Sequence, residues 1–372
     1  VFVDYNQNAR DHTIAAAYSL RGVSAGTVST PFTWSELDAV DPHAVRLALD
    51  DMDGLGSQGS ALREAARDAL TRVDSTRGRL ESGDGDPAEA RELLATIRAS
   101  LLANPLIDFS DLLVVIRSDA MLGLPQNWES NSSIPRTGYD NYIASLSPVS
   151  PDGQWRTVFA PANGEFVGDV DLDFDAGRIL FSMPPEGGPW RIMEMALDGS
   201  APRVMPLIDE PDVDNYDACW LPGGDVLFTS TAPFVGVPCV TGASHVSNLY
   251  RWSQVTGAIR RLTFEQDHDW CPTVMPDGRV LYLRWEYSDI PHFASRILFT
   301  MAPDGTNQMA YYGTNSYWPN ALFYARPVPG STTRFVAVVG GHHDYPRMGE
   351  LALFDVALGQ REAEGVLQRI PG

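Results

Sequence analysis

A repeated strand–turn–strand pattern constrains the fold more than any other feature of the sequence. The three clearest copies are DLDFDAGRILFSM (171–183), CWLPGGDVLFTST (219–231) and TVMPDGRVLYLRW (273–285). Each copy is followed by a second hairpin, and the turn glycines of all six hairpins are Gly177, Gly199, Gly224, Gly257, Gly278 and Gly305. Two hairpins per period give four strands, and a four-stranded unit of ~40–50 residues is buried only by its neighbours. The pattern therefore predicts a mainly β protein with the architecture of a β-propeller.

Two weaker units flank the clear ones. Leu112–Ile116 pairs in pattern with Asn141–Leu146, and Phe335–Val339 pairs with Leu351–Phe354. We therefore expect about five blades, in a ring that can be incomplete. A β-sandwich with evenly spaced turns is the alternative, and the matching phase of both hairpins favours the propeller.

The segments before the repeat divide into two parts. Residues 1–40 contain two apolar stretches with the pattern of a β-hairpin. Residues 41–105 predict a helical hairpin, because alanines recur every four residues in its first half and Asp86-Pro87 can open the second helix. The predicted domains are thus 1–40, 41–105 and the propeller at 106–372.

Charge and composition exclude several classes of protein. The 48 acidic residues outnumber the 27 basic ones, for a net charge of −21, so nucleic-acid binding by the whole chain is not expected. The apolar runs have strand length, which predicts no membrane span. The three cysteines form neither CxxC nor CxxCH, so no covalent haem is expected, and their pairing cannot be assigned. We find no signal peptide at Val1.

The first 40 residues resemble a known family. VFVDYNQNARDHTIAAAYSLRG and VSTPFTWSEL are similar to the end of the primase-polymerase domain of bacterial DNA ligase D. The resemblance implies that Asp4 is one of three carboxylates that hold catalytic metal ions. The family's other two carboxylates, an Asp-x-Asp pair, belong upstream and are missing, so this piece is expected to be inactive as an end-joining polymerase.

The rest of the chain resembles a second, unrelated family. DNYDACWLPGGDVLFTST, RRLTFEQDHDWCPTVMPDGRVLYLRWEY and GHHDYPRMGELALFD look like the TolB-like propellers named after the middle domain of the hydrazine synthase alpha subunit. The resemblance implies a propeller scaffold and a periplasmic or extracellular location. It does not imply the haem chemistry, since CxxCH is missing. We interpret the chain as a fusion of these two pieces.

Acidic clusters are the main candidates for a site. They precede or begin the first strand of three blades, and in a propeller such segments can meet around the channel. We predict that Asp171, Asp217 and Asp269 ring the channel, with His268 and His342 as further metal ligands. A hard cation such as calcium suits these oxygens. The alternative is structural: the carboxylates cap turns and bond neighbouring blades, and the histidines are satisfied in the core.

These observations predict a non-catalytic binding or scaffold propeller of an exported bacterial multidomain protein. Its partner would be a protein or small-molecule ligand at the channel mouth. One alternative is a fragment of a metal- or haem-dependent redox enzyme that other domains complete. The other is an inactive fragment of the end-joining primase-polymerase.

Overall fold

The computed structural model describes most of the chain after residue 82. The described residues are 82–102, 109–150, 152–237, 242, 244–286, 295–341 and 345–370, with isolated positions between 64 and 79. The predicted hairpin at residues 1–40 lies outside them, as do Asp4 and His342.

A helix precedes the sheets, as predicted. Helix α1 spans Pro87–Leu102, and the isolated described positions between 64 and 79 are also helical. The Asp86 side chain caps α1 by accepting the Ala88 N–H at 2.8 Å. This cap and the proline in the first turn explain why the helix begins where the sequence predicts.

Nineteen described strands form five successive units, here called sheets 1 to 5. Sheet 1 contains β1 (Leu112–Arg117), β2 (Asn141–Ser147) and β3 (Gln154–Phe159). Sheet 2 contains β4 (Gly168–Leu172), β5 (Arg178–Met183), β6 (Arg191–Ala196) and β7 (Arg203–Val204). Sheet 3 contains β8 (Asn215–Trp220), β9 (Val226–Ser230), β10 (Asn248–Trp252) and β11 (Ile259–Arg261).

The last two units complete the series. Sheet 4 contains β12 (Asp269–Val274), β13 (Val280–Glu286), β14 (Ser295–Met301) and β15 (Met309–Tyr312). Sheet 5 contains β16 (Ala321–Pro327), β17 (Arg334–Gly340), β18 (Gly349–Asp355) and β19 (Val366–Ile370). Neighbouring strands within each sheet are antiparallel, and a single parallel pair, Arg296 with Ala321, joins sheets 4 and 5.

Sheets 2 to 5 stack radially, with their first strands at the centre. Strands β4, β8, β12 and β16 contact one another in that order. We call the space that they border the channel. The mainly β propeller predicted from the glycine turns, with a helical part ahead of it, is therefore confirmed.

The hydrophobic core lies between successive sheets rather than inside any one of them. Alternate residues of one strand face opposite neighbours: Ile179 packs with sheet 1, and Leu180 packs with Phe228 of sheet 3. In the same way Leu227 packs toward sheet 4, beside Tyr282. Each sheet is thus sealed by the next one, as the repeat requires. Among the described residues, no helix has the length and apolar character needed to cross a membrane.

Candidate functional site

Each of the four central strands contains a β-bulge at the same place. The register with the second strand shifts there in sheets 2, 3, 4 and 5. In all four, the first bulged residue is a non-glycine residue with φ between 49° and 53°. These residues form what we call the bulge layer: Asp169, Asp217, Cys271 and Tyr324.

The bulges determine which side chains of the central strands face the channel. A left-handed backbone costs a non-glycine residue roughly 1–2 kcal/mol, and a bulge re-aims the side chain that it carries. Two positions further along each central strand is a second group of residues: Asp171, Cys219, Thr273 and Arg326. The channel therefore combines carboxylates, thiols and one guanidinium, all on strands held by the core.

The carboxylates of this site each have one oxygen occupied. Asp217 Oδ2 accepts the Cys271 backbone N–H at 2.6 Å, and Asp171 Oδ2 accepts that of Trp220 at 2.9 Å. Asp169 Oδ2 accepts the side-chain amide of Asn131 at 2.6 Å. In the described part of the chain no donor reaches their second oxygens. The carboxylates thus latch neighbouring segments and keep further acceptor capacity.

Burial changes the proton affinity of these groups. Burial, together with repulsion from Asp169, raises the pKa of Asp217 to about 7, against the opposing effect of the Cys271 N–H, Arg347 and Arg326. Burial also raises the pKa of Asp171 to about 6, opposed by the Trp220 N–H and Arg326. Both residues retain a small accessible surface.

Asp269 has a different environment. It is fully buried, its Oδ1 lies 3.1 Å from Arg284 Nε, and its Oδ2 accepts from the Asn248 amide at 3.4 Å. Burial raises its pKa to about 6, with Arg284 acting in the opposite direction. Its hydrogen-bonding partners lie on strands β10 and β13, so Asp269 bonds sheets 3 and 4 together.

His268 is also fully buried. Its Nδ1 accepts the Ser247 backbone N–H at 3.1 Å, and its ring stacks on Trp270 with centroids 4.4 Å apart. Burial and the nearby Arg347 and Arg296 hold the pKa of His268 well below its ordinary value. The residue is therefore neutral and packed against aromatic rings.

Loops from the two ends of the series cover one end of the channel. Gln126 forms a β-bridge with Pro346, and the Asn127 amide donates to the Gly341 carbonyl at 2.6 Å. Arg347 is buried, donates to the Glu129 carbonyl at 2.5 Å and lies over Trp270. Sheets 1 and 5 are therefore neighbours in space.

The predicted ring and the observed site overlap in part. Of Asp171, Asp217 and Asp269, the structure brings the first two to the channel and pairs the third with Arg284. Asp4 and His342 lie outside the described residues. Within the described ranges, no group of three or more His, Cys, Asp or Glu side chains has the arrangement of a metal site. The sequence prediction did not include six of the residues in these two groups: Asp169, Cys219, Cys271, Thr273, Tyr324 and Arg326.

Comparison with known proteins supports both resemblances. A family model described as "LigD, primase-polymerase domain" matches residues 1–57, and so extends beyond residue 40. The multifunctional non-homologous end joining protein LigD of Mycobacterium bovis is 41% identical over 70 residues, which is 18% of this chain and 9% of that protein. The LigD protein of Mycobacterium tuberculosis has the same values. The chain thus spans about a tenth of these relatives.

Solved structures resemble the sheets. Hydrazine synthase of Kuenenia stuttgartiensis matches with a TM-score of 0.54 and 16% identity, over 66% of this chain and 37% of that one. A TolB protein of Agrobacterium tumefaciens matches with a TM-score of 0.45 and 17% identity, over 66% and 80% of the two chains. At these identities the hydrazine synthase likeness shows a shared fold. Both resemblances read from the sequence are confirmed: the first by the family model over residues 1–57, and the second at the level of the fold.

Proposed function

We propose that the chain is a binding and scaffold propeller, a non-catalytic part of an exported bacterial multidomain protein, and that its channel binds a divalent cation such as calcium. The observation that carries the proposal is the pair of carboxylates in the bulge layer. Asp169 and Asp217 occupy equivalent positions on adjacent central strands, and each uses one oxygen for a hydrogen bond.

The electrostatics of the pair favour a cation. Burial and, after it, repulsion between the two carboxylates raise the pKa of Asp217, and a positive charge placed between them would relieve that repulsion. Calcium takes six to eight oxygen ligands and accepts water among them. The two free oxygens would supply the anchoring ligands, and water would supply the remainder.

The cation would also connect two sheets. Asp169 lies on β4 and Asp217 on β8, so one ion would join sheets 2 and 3 at the channel. In a radial stack each sheet depends on its neighbours, so a link at this point would stabilise the whole series. This is the scaffold part of the proposal.

A calcium titration of thermal stability tests the function. We expect calcium to raise the Tm of the wild-type chain after chelation, and Asp169→Asn and Asp217→Asn to abolish most of the rise. Asparagine keeps an oxygen for the Asn131 amide or the Cys271 N–H, so both variants should fold. Asp212→Asn is the matched control, because Asp212 belongs to the same acidic run but is exposed. An equal rise in all four proteins, or none in any, contradicts the proposal.

The DNA ligase D resemblance carries no activity in this proposal. The family's Asp-x-Asp pair belongs upstream of Asp4, and the Asp51-Met52-Asp53 triplet lies downstream of it, so we expect a primer-extension assay of this chain with manganese to give no product. Template-dependent extension by the purified chain would contradict this part.

A further inference from the structure

A pocket lies between sheets 4 and 5, beside the outer strand β15 rather than the central strands that border the channel. One wall consists of residues 310–312 of β15 and Thr314. The other consists of residues 359–361 and Glu364, which belong to the connection between β18 and β19. The volume of the pocket is about 440 Å³, within the range of roughly 300–1,000 Å³ that is typical of small-molecule sites.

Hydrogen bonds fix the two walls relative to each other. The Gly313 N–H donates to the Gln360 carbonyl at 2.8 Å, and the Tyr312 hydroxyl donates to the Glu362 carbonyl at 2.7 Å. The Glu362 carboxylate in turn accepts the Tyr317 backbone N–H at 2.8 Å. The pocket is therefore formed by the protein alone, which lowers the cost of ordering its walls when a ligand binds.

Two lining side chains carry opposite charges. Arg361 Nε lies 3.7 Å from Glu364 Oε1, which is longer than a hydrogen bond, and both side chains are at least half exposed. Within the described residues, no hydrogen bond uses the guanidinium of Arg361 or the carboxylate of Glu364. An exposed pair of this kind contributes little to stability. Both groups can therefore turn to a ligand at small cost.

The charges of the lining select among ligand classes. An anion would be repelled by Glu364 and by the net charge of −21, and a cation would be repelled by Arg361. Gln360 and Thr314 add neutral polar side chains to the lining, which does not favour a purely apolar ligand. A small zwitterion satisfies both charges at once.

We propose that this pocket binds a free α-amino acid with an uncharged side chain. One carbon joins the ammonium and carboxylate groups of such a ligand, so the two groups can face Arg361 and Glu364 together. The guanidinium would bind the ligand carboxylate through two parallel N–H donors, and the Glu364 carboxylate would accept from the ammonium group. The ligand side chain would lie along the β15 wall.

Calorimetric titration of the full chain with L-glutamine and L-leucine tests the site. We expect saturable binding that weakens at least about tenfold in Arg361→Gln and in Glu364→Gln, because each variant loses one charged hydrogen-bonding group. Both residues are at least half exposed, so the variants should fold like the wild type. Arg260→Gln is the matched control, since Arg260 is an exposed arginine on β11 of sheet 3 and should not affect binding.

Two altered ligands test the same contacts without any change to the protein. N-Acetyl-L-glutamine lacks the ammonium charge, and the α-amide of L-glutamine lacks the carboxylate. We expect each of them to bind the wild-type chain at least about tenfold more weakly than L-glutamine does.

Three results would overturn the proposal. The first is the lack of saturable binding of either amino acid in the millimolar range. The second is equal affinity in the wild type, Arg361→Gln and Glu364→Gln, which would place the binding elsewhere. The third is equal affinity for L-glutamine and the two altered ligands, which would show that the pocket does not recognise both charges. The pocket shares no residue with the channel, so failure here leaves the calcium response of Asp169 and Asp217 testable.

Discussion

The channel and the boundary between sheets 3 and 4 bury carboxylates of the same acidic motifs in different ways. Asp217 in the channel and Asp269 at the boundary are both buried, and burial raises both pKa values. Asp269 is paired with Arg284, whereas Asp217 has one backbone donor and a neighbouring carboxylate. Burial alone therefore does not distinguish a binding carboxylate from a structural one. The partners of each oxygen do.

The backbone explains the difference. Asp217 is the first residue of the β8 bulge, which places it at the channel next to the equivalent Asp169. Asp269 lies two positions before the corresponding bulge in β12 and pairs in register with Arg284. A shift of two positions relative to the bulge thus separates the two environments.

Breaking the boundary ion pair should have the largest effect on stability. Arg284→Met leaves Asp269 buried without its cation, and removal of one partner of a buried pair costs about 3–5 kcal/mol. We expect this loss in the free energy of unfolding at pH 8, measured by urea denaturation. Arg334→Met is the control, since Arg334, which pairs with Asp355, is itself half exposed, whereas Arg284 is buried. Equal losses would show that the boundary pair is no more structural than an exposed one.

The pH dependence of Asp217 should have the next largest effect. Because its folded pKa is raised, folding retains a proton that the unfolded chain has released, so this contribution to stability is lost as pH rises from about 4, the unfolded pKa, to about 7, and it is constant above that. His268, kept neutral by burial, acts in the opposite direction only below about pH 6.5. We therefore expect the wild-type Tm to fall as pH rises from 6.5 to about 7.5 and to level off by pH 8, and the Tm of Asp217→Asn to fall less over that range.

The raised pKa of Asp217 also sets the size of the stability change expected from Asp217→Asn. One pKa unit corresponds to about 1.4 kcal/mol, so Asp217→Asn should recover one to a few kcal/mol at pH 8. Asp212→Asn, at an exposed position, should reproduce the wild-type profile. Parallel profiles for wild type and Asp217→Asn would refute the raised pKa.

Removal of Arg326 should change the pH dependence of stability by a smaller amount than removal of the Asp217 carboxylate. Arg326 lowers the pKa values of both Asp171 and Asp217, but does not alter the environment described for Asp269. Arg326→Gln should move the wild-type pH transition upward by less than about one unit. The transition is read from Tm against pH. An unchanged or lowered midpoint would place Arg326 too far from the carboxylates to act on them.

The smallest expected effect belongs to an exposed pair. Arg369 contacts Glu350 on the outer strands of sheet 5, and its side chain is half exposed. Exposed ion pairs contribute about 0–1 kcal/mol, so Arg369→Gln should change the free energy of unfolding by less than about 1 kcal/mol. A loss comparable to that of Arg284→Met would show that partner count and burial do not rank the ion pairs of this fold.

The fold was readable from the sequence because its turns are local. Gly177, Gly224 and Gly278 mark the first hairpin of each clear unit, and their spacing gave the four-stranded period. The start of α1 was readable for the same reason, since Asp86 and Pro87 act on the first turn alone.

The site was only partly readable. The bulges arise when a central strand is fitted to both its second strand and the next sheet, and no local residue type marks them: aspartate, cysteine and tyrosine all occupy the position. The usable signal was positional, because Asp169, Asp217, Cys271 and Tyr324 share one phase relative to the turns. The position of an aspartate before or at the first strand did not separate Asp269 from Asp169, because neither the bulge nor the pairing of Asp269 with Arg284 is visible in the local sequence.

The most direct test of the channel site is an anomalous diffraction map from crystals grown with manganese as the divalent probe. The account predicts a peak in the channel between the carboxylates of Asp169 and Asp217, lost in crystals of Asp217→Asn. Peaks confined to exposed acidic residues such as Asp209 and Asp212, with none in the channel, would contradict it.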